Sequence, residues 1–162
     1  MSYHVRPATL ADIDVLVRHR IAMFSDMGVP IDGPPLAVAF AEWLRATMAS
    51  ETYRAWLVET AEGQVAAGGG ATIIPWPPGP RSLGDKIAFV YNVYTEPPHR
   101  RRGLARLVME AIHEWCQWSG VGTVALNASS DGQSLYDSMG YTCAPNPMMV
   151  FSLSGYNPSA QG

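Results

Sequence analysis

Hydrophobic and polar positions change period several times along the chain, and each change marks an element. Residues 3–6 read as a short strand that stops before Pro7, which lacks an amide donor and restricts the residue before it. Thr9 then offers a helix N-cap with Asp12 in the capping-box position. Ile13, Leu16, Val17, Ile21 and Phe24 follow at helical spacing as far as Met27, with Gly28 as the stop. After a loop containing Pro30, Pro34 and Pro35, residues 36–49 read as a second helix carrying Phe40, Trp43 and Leu44. These two helices are expected to form a lid on a sheet edge.

Residues 54–60 and 64–74 read as an antiparallel hairpin turning at Ala61-Glu62-Gly63. The second of these strands contains Gly68-Gly69-Gly70. A nucleotide-binding glycine loop would open a helix, whereas here the chain continues Ala71-Thr72-Ile73-Ile74. The glycines therefore mark a bulge or a close-packing site, with room for a ligand as a further option. The stiff loop from Trp76 to Pro80 ends the hairpin, and residues 86–95 form a β-branched and aromatic strand that stops at Glu96-Pro97-Pro98. Residues 104–118 give the clearest helix, with Leu104, Leu107, Val108, Ala111, Ile112 and Trp115 on one face and Gly120 and Gly122 beyond its end. A short apolar strand over 123–128, a short helix over 131–139 capped by Gly140, and a final strand or hairpin over 141–153 complete the pattern. With no repeat, linker or low-complexity stretch, residues 1–162 are expected to be one α+β domain with a mixed sheet, and 155–162 a candidate disordered tail.

Composition narrows the picture. Hydrophobic residues make up 48% and charged residues 15% of 162, a globular balance. The two cysteines, Cys116 and Cys143, give no disulfide framework and have no metal-ligand spacing, so no metal site is expected. The N-terminus lacks a secretory apolar run and no segment reaches the roughly 20 apolar residues that span a bilayer, so the expectation is a cytoplasmic protein without membrane contact. A net charge of −3 argues against nucleic acid as a general partner. Against that background, Arg100, Arg101, Arg102 and Arg106 packed into seven positions need their own explanation.

Their setting supplies one. A strand runs into a short charged turn, and a strongly amphipathic helix opens at Gly103. The first turn of a helix presents unpaired N–H groups and the positive end of the dipole, which together make an anion site. Gly103 and Ala105 keep bulk away, so the backbone can approach a phosphate closely. A diphosphate is the natural occupant. The run lacks the Gly-x-x-x-x-Gly-Lys-Ser/Thr of a P-loop and the Gly-x-Gly-x-x-Gly of a dinucleotide fold.

What the run Arg100 to Ala105 does match is Arg/Gln-x-x-Gly-x-Gly/Ala, and in this it resembles the pyrophosphate motif of the GNAT superfamily of acyl-CoA-dependent N-acyltransferases. The preceding Val93-Tyr94-Thr95-Glu96-Pro97, the downstream Ala128 to Tyr141 with Leu135-Tyr136 and Gly140, and the opening Val5 to Ile13 are similar to the family as well. The resemblance covers residues 86–141 well, the N-terminus loosely and 28–80 hardly at all. It implies a mixed, mostly antiparallel sheet with splayed fourth and fifth strands, flanked by about four helices, with residues 86–141 as the cofactor half. It further implies acetyl-CoA as acyl donor, the backbone of Val93, Tyr94 and Thr95 against the pantetheine arm, and Arg101, Arg102, Gly103, Leu104, Ala105 and Arg106 around the pyrophosphate. Surplus arginine charge would meet the 3′-phosphate of CoA. Ser129 stands where many members place a cofactor-contacting asparagine, and Tyr136 matches the tyrosine that protonates the departing thiolate. Dimers are common in the family, so a homodimer is compatible with the resemblance; the residues themselves give no direct support for one.

The chemistry so implied is acetyl transfer to a primary amine, small or peptidic. The thioester oxygen needs a donor, which a strand amide near Val93 can be. A phenol with an ordinary pKa of about 10 can donate to a thiolate. For the base, Glu96, Tyr94, Tyr91, His99 and a water chain all stay open. The acceptor is to be sought around His19, Arg20, Met23, Phe24, Asp26 and the loop through Pro30 to Pro35. The competing reading is a non-catalytic acyl-CoA-binding sensor or interaction module of the same fold.

Overall fold

In the computed structural model, which describes residues 2–153, five strands lie in sequence order β1-β2-β3-β4-β5. They are β1 (Tyr3–Pro7), β2 (Tyr53–Thr60), β3 (Val65–Pro75), β4 (Lys86–Thr95) and β5 (Val124–Ala125). The first four pair antiparallel with their neighbours, and β5 alone pairs parallel, with β4. The helices are α1 (Ile13–Asp26), α2 (Gly33–Ala49), α3 (Leu104–Trp118) and α4 (Gln133–Ser138). This is the mixed, mostly antiparallel sheet with four helices that the resemblance implied.

The chain enters α1 through the turn the sequence marked. Thr9 caps a short 3-10 turn, and Asp12 closes the capping box by accepting from the Thr9 amide at 2.7 Å. The same carboxylate receives both terminal nitrogens of Arg6, at 2.8 and 2.9 Å, while Arg6 Nε donates to Glu59 on β2 at 2.7 Å. Arg6 thus locks β1, β2 and the start of α1 together, and its charge holds the Asp12 carboxyl below the usual carboxylate range.

Helices α1 and α2 lie across one face of the sheet rather than on its edge, because Leu16, Leu44 and Phe40 must be buried against Tyr53, Ala55 and Leu57 of β2. The helix α2 begins earlier than expected. Pro34 and Pro35 occupy its first turn, where a missing N–H costs nothing. On the other face α3 buries Leu104, Val108, Met109, Ile112 and Cys116, with Leu107, Ala111 and Trp115 at the margin. Its buried stripe is therefore rotated from the one the spacing gave, toward Met109 and Cys116.

The three glycines sit where β3 shifts register against β4, between Gly68 and Gly70. The space beside them is filled by protein. A Cβ on Gly68 would lie 2.7 Å from a Leu57 methyl, one on Gly69 2.9 Å from a Val108 methyl, and one on Gly70 2.3 Å from the Tyr53 hydroxyl. Close packing accounts for the run, and no ligand space remains there.

Two expectations fail at the C-terminal side. The strand expected over 123–128 reduces to Val124–Ala125, and residues 141–153 contain no strand or hairpin. Met149, Val150 and Phe151 are exposed instead, their apolar pattern unpaired because β5 is too short to template another strand. The proposed tail over 155–162 lies outside the described residues.

The Gly70→Ala variant sets a small gain in unfolded-chain entropy against a collision with the Arg54 carbonyl at 2.5 Å. The collision should win, lowering stability by about 1–3 kcal/mol. A urea titration should show this as a lower midpoint with unchanged slope.

Candidate active site

The site is built on a strand that changes partner along its length. Only Ala88 and Phe89 of β4 are paired with β5, opposite Val124 and Ala125, and Ala88 N–H donates to Thr123 C=O at 3.0 Å. Beyond Phe89 the two strands part, leaving one edge of β4 open as far as Thr95. Within that open stretch Asn92 adopts a left-handed conformation, φ 63°. Three steps of β4 there, Tyr91 to Tyr94, oppose two of β3, Gly70 to Gly68. This is a β-bulge, and it changes which amides face the gap. Upstream, Ala88 points its N–H toward β5, so Val90 does too. Downstream, Glu96 N–H donates to Ala66 C=O on β3 at 2.8 Å, so by alternation Val93 and Thr95 face the gap. Asparagine suits the position, being among the non-glycine residues that best tolerate positive φ. Its Nδ2 donates to the Leu16 carbonyl at 3.1 Å, which fixes the bulge to α1.

Tyr94 does not join Val93 and Thr95. Its amide is directed at β3, and its ring is buried 5.0 Å from that of His19 on α1. Of the three residues expected at the open edge, Val93 and Thr95 direct their amides into the gap and Tyr94 directs its amide at β3.

The turn after β4 has two left-handed residues, Arg101 at φ 63° and Gly103 at φ 76°. Leu107 N–H donates to Gly103 C=O at 3.3 Å as the first bond of α3, so the amides from Arg101 to Arg106 come before the helical ladder. Left-handed residues separated by one position turn successive N–H groups into a concave nest, and the helix dipole reinforces it. A Cβ on Gly103 would meet no protein atom within 4 Å, so the space in front of the turn is open. Leu104 gives its amide to the nest and its side chain to the core, and Ala105 is half-buried.

The arginines divide their work. Arg100 braces the turn: Nε donates to Thr95 C=O at 3.0 Å, and Nη2 reaches Asp26 at the end of α1 at 2.5 Å. Arg106 donates to Ser138 Oγ at 2.5 Å and ties α3 to α4. Arg101 and Arg102 are exposed, with no side-chain acceptor among the described residues. They are free to meet an anion.

Ser129 and Tyr136 meet across Gly132. Ser129 Oγ accepts from the Gly132 amide at 3.3 Å, and a Gly132 Cβ would lie 3.0 Å from the Tyr136 ring. Tyr136 packs against the same α3-side core as Val93, and its ring meets that of Tyr141 edge-on at 5.6 Å. Burial raises its phenol above the ordinary value, which keeps it protonated near neutrality.

A cluster that the sequence did not show joins α1 to the end of β4. Arg18 is ion-paired with Glu96, and the fully buried His19 donates from Nε2 to the same carboxylate at 3.1 Å. The carboxylate can only accept, so Nε2 carries the proton. Glu96 also lines an open cleft of about 450 Å³ with Val15, Arg18 and His99 at this end of the sheet. Among the described residues no group of three metal-ligating side chains occurs, and no helix is long and apolar enough to cross a membrane.

The model of the acetyltransferase (GNAT) family matches residues 21–141, three-quarters of the sequence. The chain belongs to this family. Its similarity extends to a GCN5-related N-acetyltransferase from Ralstonia eutropha JMP134, at 32% identity over 95% of this chain and 100% of that one, with a TM-score of 0.83. A predicted acetyltransferase with acetyl-CoA from Clostridium acetobutylicum is 20% identical, covering 96% of this chain and 100% of that one, TM-score 0.85. An aminoglycoside N-acetyltransferase in complex with CoA is 14% identical, covering 94% and 95%, TM-score 0.75, and shares the fold. No curated protein matches the chain. Acetyl-CoA is the acyl donor of this acetyltransferase, and the open strand edge, the amide nest and the free arginines form a donor set that fits it.

Burial dominates the titration of His19 and holds it below the usual histidine range, against the opposing pull of Glu96. Its folded value is thus depressed, and the unfolded chain binds more protons as pH falls through about 6.5. The stability it contributes is complete above that value and is lost as acidification proceeds toward the folded one. Urea midpoints measured from pH 8 to pH 5 should therefore decline. His19→Gln should flatten that decline, leaving the share of His113, which burial also lowers.

Proposed function

We propose that the chain transfers the acetyl group of acetyl-CoA to a primary amine by direct attack, with the Val93 amide as oxyanion donor and Tyr136 as general acid. The observation that carries this reading is the bulge-directed Val93 amide at the open edge of β4, with the nest of Arg101 to Arg106 beyond the end of the same strand. On this reading the pyrophosphate rests on the amides of Arg102, Gly103, Leu104, Ala105 and Arg106, with Arg101 and Arg102 adding charge. Thr95 pairs with the pantetheine arm, and Ser129 borders it near α4.

The amine attacks as the neutral base, so it first loses a proton, its ordinary pKa being about 10.4. Nitrogen forms a bond to the thioester carbon while the Val93 amide donates to the oxygen that gains charge. The carbon–sulfur bond then breaks, the Tyr136 hydroxyl gives its proton to the sulfur, and the nitrogen releases its second proton to water, leaving a neutral amide, while Tyr136 is reprotonated from solvent. Of the candidate bases, Glu96 is held by Arg18 and His19, His99 is bonded to Tyr3 at 3.0 Å, and Tyr94 lies against Arg100. Tyr91 and water remain to take the amine proton.

Thiol release measured over a panel of amines tests the activity, and tight acetyl-CoA binding without turnover of any amine would favour the sensor reading. The Tyr136→Phe variant should lower kcat about a hundredfold or more while the acetyl-CoA Kd stays the same. An unaltered kcat would remove Tyr136 from the role.

Gly103→Val places a β-branched side chain at φ 76°, a conformation costing about 1–2 kcal/mol, and fills the space before the nest. Calorimetry on the folded variant should show acetyl-CoA binding weakened about tenfold or more.

A further inference from the structure

Tyr136 lies on the shortest α-helix of the fold. None of the six residues of α4 is fully buried, and a helix of that length has little stability of its own. A tyrosine that must aim its hydroxyl at one sulfur atom needs a firmer mount, because a misplacement of about 1 Å can cost a large factor in rate. The contacts that supply one lie just beyond the end of the helix.

The helix stops at the left-handed Gly140, φ 92°. The Gly140 amide donates to the Asp137 carbonyl at 3.1 Å and the Tyr141 amide to the Tyr136 carbonyl at 3.0 Å, the paired bonds of a Schellman stop. Such a stop folds the side chain beyond it back onto the one five residues earlier. Here the rings of Tyr141 and Tyr136 meet edge-on, with centroids 5.6 Å apart. Any apolar ring at position 141 would complete that contact. Tyrosine adds a hydroxyl, which shares a hydrogen bond of 2.6 Å with His113 Nε2 on α3. Seven positions before His113, two turns away on the same face of α3, Arg106 donates to Ser138 at the end of α4. Two bonds from one face of α3 therefore hold the C-terminal end of α4.

We propose that His113, acting through Tyr141, is a positioning residue for Tyr136: the His113–Tyr141 bond fixes the ring against which the Tyr136 phenol is set, and so sets the aim of its hydroxyl. This rests on the reading of Tyr136 as general acid and deepens it. The helix stop requires only an apolar contact, and the added polar bond is the part that orients. Its partner comes from α3, whose first-turn amides belong to the nest, so Tyr136 and the nest are both referred to one helix.

Thiol release by a small set of variants tests this role. Tyr141→Phe keeps the edge-on contact and deletes the hydroxyl, and His113→Leu deletes its partner. Each should lower kcat about threefold to tenfold, the effect of one hydrogen bond, with the acetyl-CoA Kd unchanged. The double variant should lose no more than either single one. His113→Gln, whose amide can donate or accept, should recover most of the loss. In a Tyr136→Phe background His113→Leu should have no further effect. A parent-like kcat in either single variant, an undiminished fall in the Tyr136→Phe background, or a His113→Gln as slow as His113→Leu would overturn the assignment. If Tyr136→Phe itself keeps the parent kcat, the general-acid reading fails and the positioning role with it. If Tyr136→Phe is slow and Tyr141→Phe is not, the positioning role fails alone.

A second measurement needs no turnover. Protein labelled with 13C at tyrosine Cζ reports on its seven tyrosines by NMR, with Tyr136→Phe and Tyr141→Phe assigning the two signals of interest. In His113→Leu the Tyr136 signal should shift together with that of Tyr141. A Tyr136 signal that stays in place while the Tyr141 signal moves, or two unmoved signals, would refute the coupling.

Discussion

The left-handed turn at Asn92 is the constraint from which the site follows. A regular β4 would keep directing the amides of even-numbered residues toward β5 along its whole length. One added residue reverses that assignment, so that Val93 and Thr95 look into the gap while the pairing with β3 resumes at Tyr94. Positive φ at a non-glycine residue has an energetic cost, and it persists where surrounding structure fixes it. Here the bond from Asn92 Nδ2 to the Leu16 carbonyl does so, together with the glycines opposite. The bulge, the Gly68–Gly70 run and the packing of α1 are one arrangement. Glycine lets Leu57, Val108 and Tyr53 close over β3, and that closure holds β4 at the depth where α1 can reach it.

A second set of contacts fixes the end of the strand. Glu96 receives Arg18 and His19, and Arg100 returns to Asp26, so the middle and the C-terminal end of α1 are fastened to the segment that carries the nest. Two left-handed residues in that turn would otherwise leave its amides free to reorient. Several of these bonds are part-exposed ion pairs, individually weak in water, and their value lies in geometry more than in stability. The turn that carries the nest is therefore positioned by α1.

Much of this was legible in local sequence because the governing rules are local. Thr9 and Asp12 signal a capping box through their spacing, Gly103 and the amphipathic stretch after it signal a helix that begins with free amides, and Gly140 signals a stop. The bounds of β4 and α3 followed from those rules and agree with the structure. Pro34 and Pro35 misled because proline is equally at home in a loop and in the first turn of a helix. The apolar run from Met148 to Leu153 misled because a strand needs a partner, and β5 does not extend far enough to be one.

The sequence by itself determined an anion site, since a strand, an arginine-glycine turn and an amphipathic helix make one whatever surrounds them, and the resemblance of Arg100 to Ala105 to a family motif implied acetyl-CoA as its occupant. Tertiary structure alone decided which β4 amides face the gap between β4 and β5. The answer depends on a register count between two strands, and no residue of β4 carries it. Tertiary structure likewise sorted the arginines, giving Arg100 to Asp26 and Arg106 to Ser138 and leaving Arg101 and Arg102 exposed, because charge pairing is settled by distance through space. Sequence spacing records which groups are present along the chain; folding decides which of them remain unsatisfied.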